Sequence, residues 1–183
     1  MRRRSHKRIE IRPETIKRIV IYGALLLILS ALQCSFFARL RFLPATPDLI
    51  LCAVLGILLL DSEQAAVIAA VAGGFIVDAV GGIGISFGPL FYLLAVALMS
   101  LLAKKVMPSV LSFAVLLLPA LLLRAGYTLL GIWMSVGSFP ISTALRQVLL
   151  PEALMTLLFG FLVYALLRLC RIPLRDWRDR SRL

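Results

Sequence analysis

The stretch GGFIVDAVGGIGISFGPLFYLL, from Gly73 to Leu94, decides how the rest of the chain is read. It opens inside an apolar helix that carries one carboxylate, Asp78. It breaks at Gly81-Gly82-Ile83-Gly84 and re-enters apolar sequence after Gly88-Pro89. An ionisable group near the centre of a bilayer costs about 3 kcal/mol or more. Asp78 is therefore expected to face protein, and an answering charge is to be sought elsewhere in the chain.

Working outward, composition fixes the class. A chain of 183 residues would ordinarily fold as one water-soluble domain. Here 61% of the residues are hydrophobic and the mean hydropathy is +1.00, which leaves too little polar surface to cover such a globule. Several apolar runs approach the roughly 20 residues that a membrane-spanning helix needs. The expected class is an all-α integral membrane protein with little mass outside the bilayer.

The spans follow in order. Residues 1–18 form a basic tail, with Pro13 suited to the first turn of a helix. Span 1 is expected at Ile19–Ala38, span 2 at Asp48–Leu60, span 3 at Ala65–Val80 and span 4 at Phe87–Ala103. Span 5 is expected at Ser109–Trp133, kinked by Pro119, and span 6 at Leu145–Leu169. Residues 19–170 thus make a six-transmembrane-helix bundle, and 171–183 form a second basic tail. Spans 2 and 3 are short, so they read either as two crossings or as a re-entrant hairpin, with the same parity. The basic start followed by Ile19–Phe37 imitates a secretion signal, but the run is long and reads as an uncleaved span.

The net charge of +11 lies mostly at the ends. Eight basic residues precede span 1, Lys104 and Lys105 follow span 4, and six come at or after the end of span 6. Together these are 16 of the 20 Lys and Arg residues. With both termini in the cytoplasm this obeys the positive-inside rule, and the tails face anionic lipid headgroups. Nucleic acid is not an expected partner, because no fold to bind it lies between the clusters. Cys34, Cys52 and Cys170 have no metal-ligand spacing and read as small packing residues.

Three ionisable residues lie inside spans: Asp78, Arg124 and Glu152. At about 1.5 Å of rise per residue, all three fall at one level in the outer half of the bilayer. Arg124 is expected to pair with Asp78, with Glu152 or with both, since an unpaired charge there is costly. Asp48 and Arg146 stand just above and extend the network. Its role is either to fix helix packing or to serve a ligand or proton path. Ala66, Ala70 and Gly74 repeat one turn apart on span 3, a candidate helix-docking face for the bundle itself or for a partner. Gly81, Gly82, Gly84 and Gly88 are expected to form a tight outer turn.

Catalysis lacks an inventory. Gly84-Ile85-Ser86-Phe87-Gly88 matches G-x-S-x-G, but the one histidine, His6, lies in the cytoplasmic tail and cannot serve Ser86 as a base. No ligand set for a metal stands out, and no cofactor is expected.

The small size, Pro47-Asp48-Leu49 opening span 2, and Gly74-x-x-x-Asp78 followed by a glycine turn and Gly88 resemble MreD, the rod shape-determining membrane protein family of bacteria. The likeness covers roughly residues 19–170. It implies a non-enzymatic scaffold of the cell-elongation machinery in the cytoplasmic membrane. The implied partners are the bitopic protein MreC, the actin-like MreB and the synthases that build lateral peptidoglycan. It also implies a fold similar to the S-component of energy-coupling-factor transporters. The alternative is that the chain is itself such a vitamin-binding S-component. Many of those carry Ala-x-x-x-Ala on the first helix, whereas here Ala24 is followed by Ile28 and Ala31 by Ser35.

Overall fold

A computed structural model describes residues 13–39, 45–81, 87–136 and 145–169. The terminal basic tails up to residue 12 and beyond 169 lie outside the described residues. So do Arg41, Gly82, Gly84, Ser86 and the turn after span 5. Among the described residues the chain is all helical, with no strand.

Six α-helices are described. They are α1 (Pro13–Ala31), α2 (Leu49–Leu60), α3 (Glu63–Gly81), α4 (Gly88–Ala103), α5 (Val110–Val136) and α6 (Leu150–Leu169). A π-helical turn, Leu32–Phe37, continues α1, and another, Leu145–Leu149, leads into α6. Four of these segments are long and apolar enough to cross a membrane: Lys17–Phe37, Glu63–Val80, Val110–Gly131 and Leu145–Leu169. The helices α2 and α4 are shorter, with 12 and 16 residues. Helix α5 runs unbroken through Pro119.

The sequence LILCAVLGILLL of α2 is apolar on every side, so it has no face to offer water and belongs in a core. All 12 of its residues are buried. It packs against each of the other five helices. Those five form a wheel around it: α1 lies on α3, α3 on α4, α4 on α5 and α5 on α6. The rings of Phe37 and Phe159, with centroids 4.8 Å apart, close the wheel between the π-helical turn of α1 and α6. Around the rim, large apolar side chains point outward, among them Ile28, Phe75, Leu90, Leu122 and Leu158. This is the inverse of a water-soluble surface.

Being sealed from lipid frees α2 from the length a bilayer demands. Twelve residues span about 18 Å. The helix runs antiparallel to α1, starting beside Gln33 and ending beside Tyr22. Glycines let the backbones close on it. A side chain at Gly56 would run into Leu167 of α6, and one at Gly160 would meet Cys52 Sγ at 3.0 Å.

The small-residue face of α3 packs within the chain. Ala66, Ala70 and Gly74 are buried, and a Cβ on Gly74 would overlap the backbone of Pro89 at the start of α4. At Gly74 the close approach is made with α4 of the same chain.

Candidate functional site

The polar groups of the interior gather where α2 begins. The first N–H groups of any helix lack partners within it, and a buried helix start cannot borrow water. Here each is answered. Leu49 and Ile50 N–H donate to Gln33 Oε1, in the π-helical turn that continues α1, at 3.0 and 3.4 Å. Leu51 N–H donates to Asp48 Oδ1 at 3.0 Å, so Asp48 is the N-cap. The N–H of Asp48 itself donates to Thr156 Oγ1 on α6 at 3.0 Å. Tyr92 on α4 adds an O–H donated to Asp48 Oδ1 at 2.9 Å.

Asp48 is 1% exposed, and its second oxygen meets a cation rather than a hydrogen-bond donor. Arg124 Nε lies 3.3 Å from Asp48 Oδ2 and 2.9 Å from Glu152 Oε1, to which its single hydrogen is donated. The guanidinium also sits over the rings of Phe91 and Tyr127, 5.4 and 5.7 Å from their centroids. Cation–π contact of this kind contributes about 0.5–2 kcal/mol. Residues of the π-helical turn after α1, of the start of α2, and of α4, α5 and α6 therefore meet at one point. Breaking a buried ion pair by removing one partner costs about 3–5 kcal/mol, because the other charge is stranded.

Of the three intramembrane charges expected to converge, the structure brings together Arg124 and Glu152 and places Asp78 apart. Asp78, on α3, holds its carboxylate against Gly88, where any Cβ would overlap its oxygens. It thus stands at the start of α4, where the helix dipole favours negative charge. Helical rise fixes the height of a residue but not the direction in which it points, and Asp78 points to α4. Asp48 takes the place beside Arg124 because the capped start of the central helix lies there. Arg146, in the π-helical turn before α6, is exposed and lies outside the cluster. Gly81 ends α3 and Gly88 begins α4, with the intervening turn outside the described residues.

Sequence reasoning passed over Gln33, Tyr92 and Thr156. Thr156 had a signal, standing one turn beyond Glu152 on the same helical face. Gln33 is the one amide of span 1. Tyr92 reads as an interfacial aromatic, and nothing in the sequence marks its hydroxyl for Asp48.

The cluster ties the start of α2 to α4, α5 and α6. Arg124 Nε joins Asp48 and Glu152, Asp48 caps α2, and no group of three or more His, Cys, Asp or Glu side chains able to hold a metal is found among the described residues. Between α5 and α6 a recess lined by Leu121, Arg124, Ala125, Leu149, Glu152 and Ala153 reaches the ion pair from outside. The recess has room for about 10 Å³, roughly the least that admits one water.

At its opposite end α2 is tied again. Asp61 closes the helix, where the helix's own partial charge is negative. Tyr22 Oη donates to Asp61 Oδ2 at 3.1 Å, and Arg18 stands 3.6 Å from Oδ1. Nearby, Glu63 at the start of α3 pairs with Lys104 at the end of α4 at 3.4 Å. Compared with protein-family models, with curated proteins and with solved structures, the chain matches none.

Proposed function

We propose that the chain is a non-enzymatic membrane scaffold of the bacterial cell-elongation complex, similar in role to MreD. In this reading it crosses the cytoplasmic membrane six times, with both termini in the cytoplasm and the basic tails against anionic lipid. It holds MreC and so links lateral peptidoglycan synthesis to MreB filaments. The observation that carries the reading is the use made of the buried charges: Asp48, Arg124 and Glu152 are bonded to a helix start and to each other. They hold a wheel of helices around a sealed hub. Such a molecule acts through its outer surface, which is apolar on every rim helix.

The test is co-expression with MreC from the same cell, followed by purification on a tag carried by one chain only. Stoichiometric recovery of MreC, together with rounding of rod-shaped cells on depletion of this chain, is the expected result. Rods that keep their shape, or a vitamin recovered with the purified chain, would overturn it. Reporter fusions at both termini test the topology, and cytoplasmic signals at both ends are expected.

A further inference from the structure

We propose that the recess between α5 and α6 is a binding site for one water molecule, which accepts a hydrogen bond from the Arg124 guanidinium and donates one to Glu152. The site lies within two membrane-spanning segments and does not depend on the scaffold reading.

The guanidinium has more donors than the cluster uses. Both carboxylates approach Arg124 at Nε, which carries one of its five N–H groups. The other four are on the two Nη atoms, and no hydrogen bond from them is found among the described residues. Glu152 accepts through Oε1, which leaves Oε2 for a further donor. Among the described residues, the side-chain polar atoms both wholly enclosed and without a hydrogen bond are Ser30 Oγ and Asp48 Oδ2. The spare atoms of Arg124 and Glu152 therefore reach a surface. Their side chains are 23% and 11% exposed, and both line the recess. Each residue lies about 10 Å inside the end of its span, Val110–Gly131 or Leu145–Leu169. Hydrocarbon at that depth satisfies neither an N–H donor nor a carboxylate oxygen.

Size and charge select the occupant. Room for about 10 Å³ admits one water and excludes a side chain or a lipid headgroup. A cation would stand against the guanidinium, the more exposed of the two groups. An anion would add a third negative charge beside Asp48 and Glu152, which already share one cation. A neutral molecule that accepts and donates at once meets neither objection. Water needs two to four polar partners to stay, and Arg124 with Glu152 supplies two. The rest of the lining, Leu121, Ala125, Leu149 and Ala153, is apolar and offers no competing side chain. The orientation follows: the oxygen faces Arg124 Nη, and one hydrogen faces Glu152 Oε2.

The test is solid-state NMR on the whole isotope-labelled protein in lipid bilayers, following magnetisation from water protons and, separately, from lipid acyl protons. Fast transfer from water to Arg124 Cζ and Glu152 Cδ is expected, with none to Ile50, which is 0% exposed in the same interior. Ala125→Val and Ala153→Val fill the recess without removing a charge, and each should abolish the transfer. In the unaltered chain, transfer no faster than to Ile50, or arriving from lipid protons alone, would overturn the site. So would undiminished transfer in a Val variant that elutes as a single species. Chloride added to a chloride-free sample separates an ion from water. Unchanged Arg124 Nη shifts are expected, whereas a saturable shift would put an anion in the recess and remove the water.

Discussion

The two ends of the central helix use the same materials to different effect. At the Asp48 end, a carboxylate 1% exposed is joined to Arg124, which also holds Glu152, in the interior of the bundle. At the other end, Glu63 and Lys104 pair with side chains 49% and 64% exposed, and Asp61 with Arg18 is intermediate. Burial is what separates them. An exposed pair contributes about 0–1 kcal/mol, whereas a buried one strands a charge when half of it is removed. One end organises the bundle and the other trims it.

Arg124→Leu should break the comparison hardest. It leaves two carboxylates facing each other in the interior, so a loss of about 3–5 kcal/mol is expected. Thermal unfolding in detergent, followed by light scattering, should give little or no folded protein. If Arg124→Leu instead melts with the unaltered chain, the cluster does not hold the bundle. Gly74→Leu should come next, at about 1–3 kcal/mol, because the new side chain meets the backbone of Pro89 rather than a flexible neighbour. Tyr92→Phe removes one hydrogen bond to a charged acceptor and should cost about 1.5–3 kcal/mol, seen as a modest fall in melting temperature. Lys104→Ala should change stability by no more than about 1 kcal/mol. A larger loss there would mean that the exposed end matters as much as the buried one.

Much of this fold can be read before any coordinates. The apolar runs set α2 to within a residue, since Asp48 stands directly before 12 apolar residues and Asp61 directly after them. That α2 is the hub also has a signal, because a helix apolar on every side must be enclosed. The site was legible in part. The shared height of Arg124 and Glu152 follows from counting residues, but the azimuth of Asp78 does not. Its direction depends on how far α3 is rotated against α4, which Gly74 and Gly88 set together. The small-residue pattern on α3 announced close packing without saying which helix came close.

The π-helical turn Leu32–Phe37 carries one residue more than an α-helical path would need. Deleting a residue there would restore the tighter winding and swing everything beyond it by about 100°. Gln33 would keep its grip on the start of α2, while Phe37 would turn away from Phe159 and unlatch α1 from α6. The contact that joins the first helix of the rim to the last thus hangs on a single surplus amino acid.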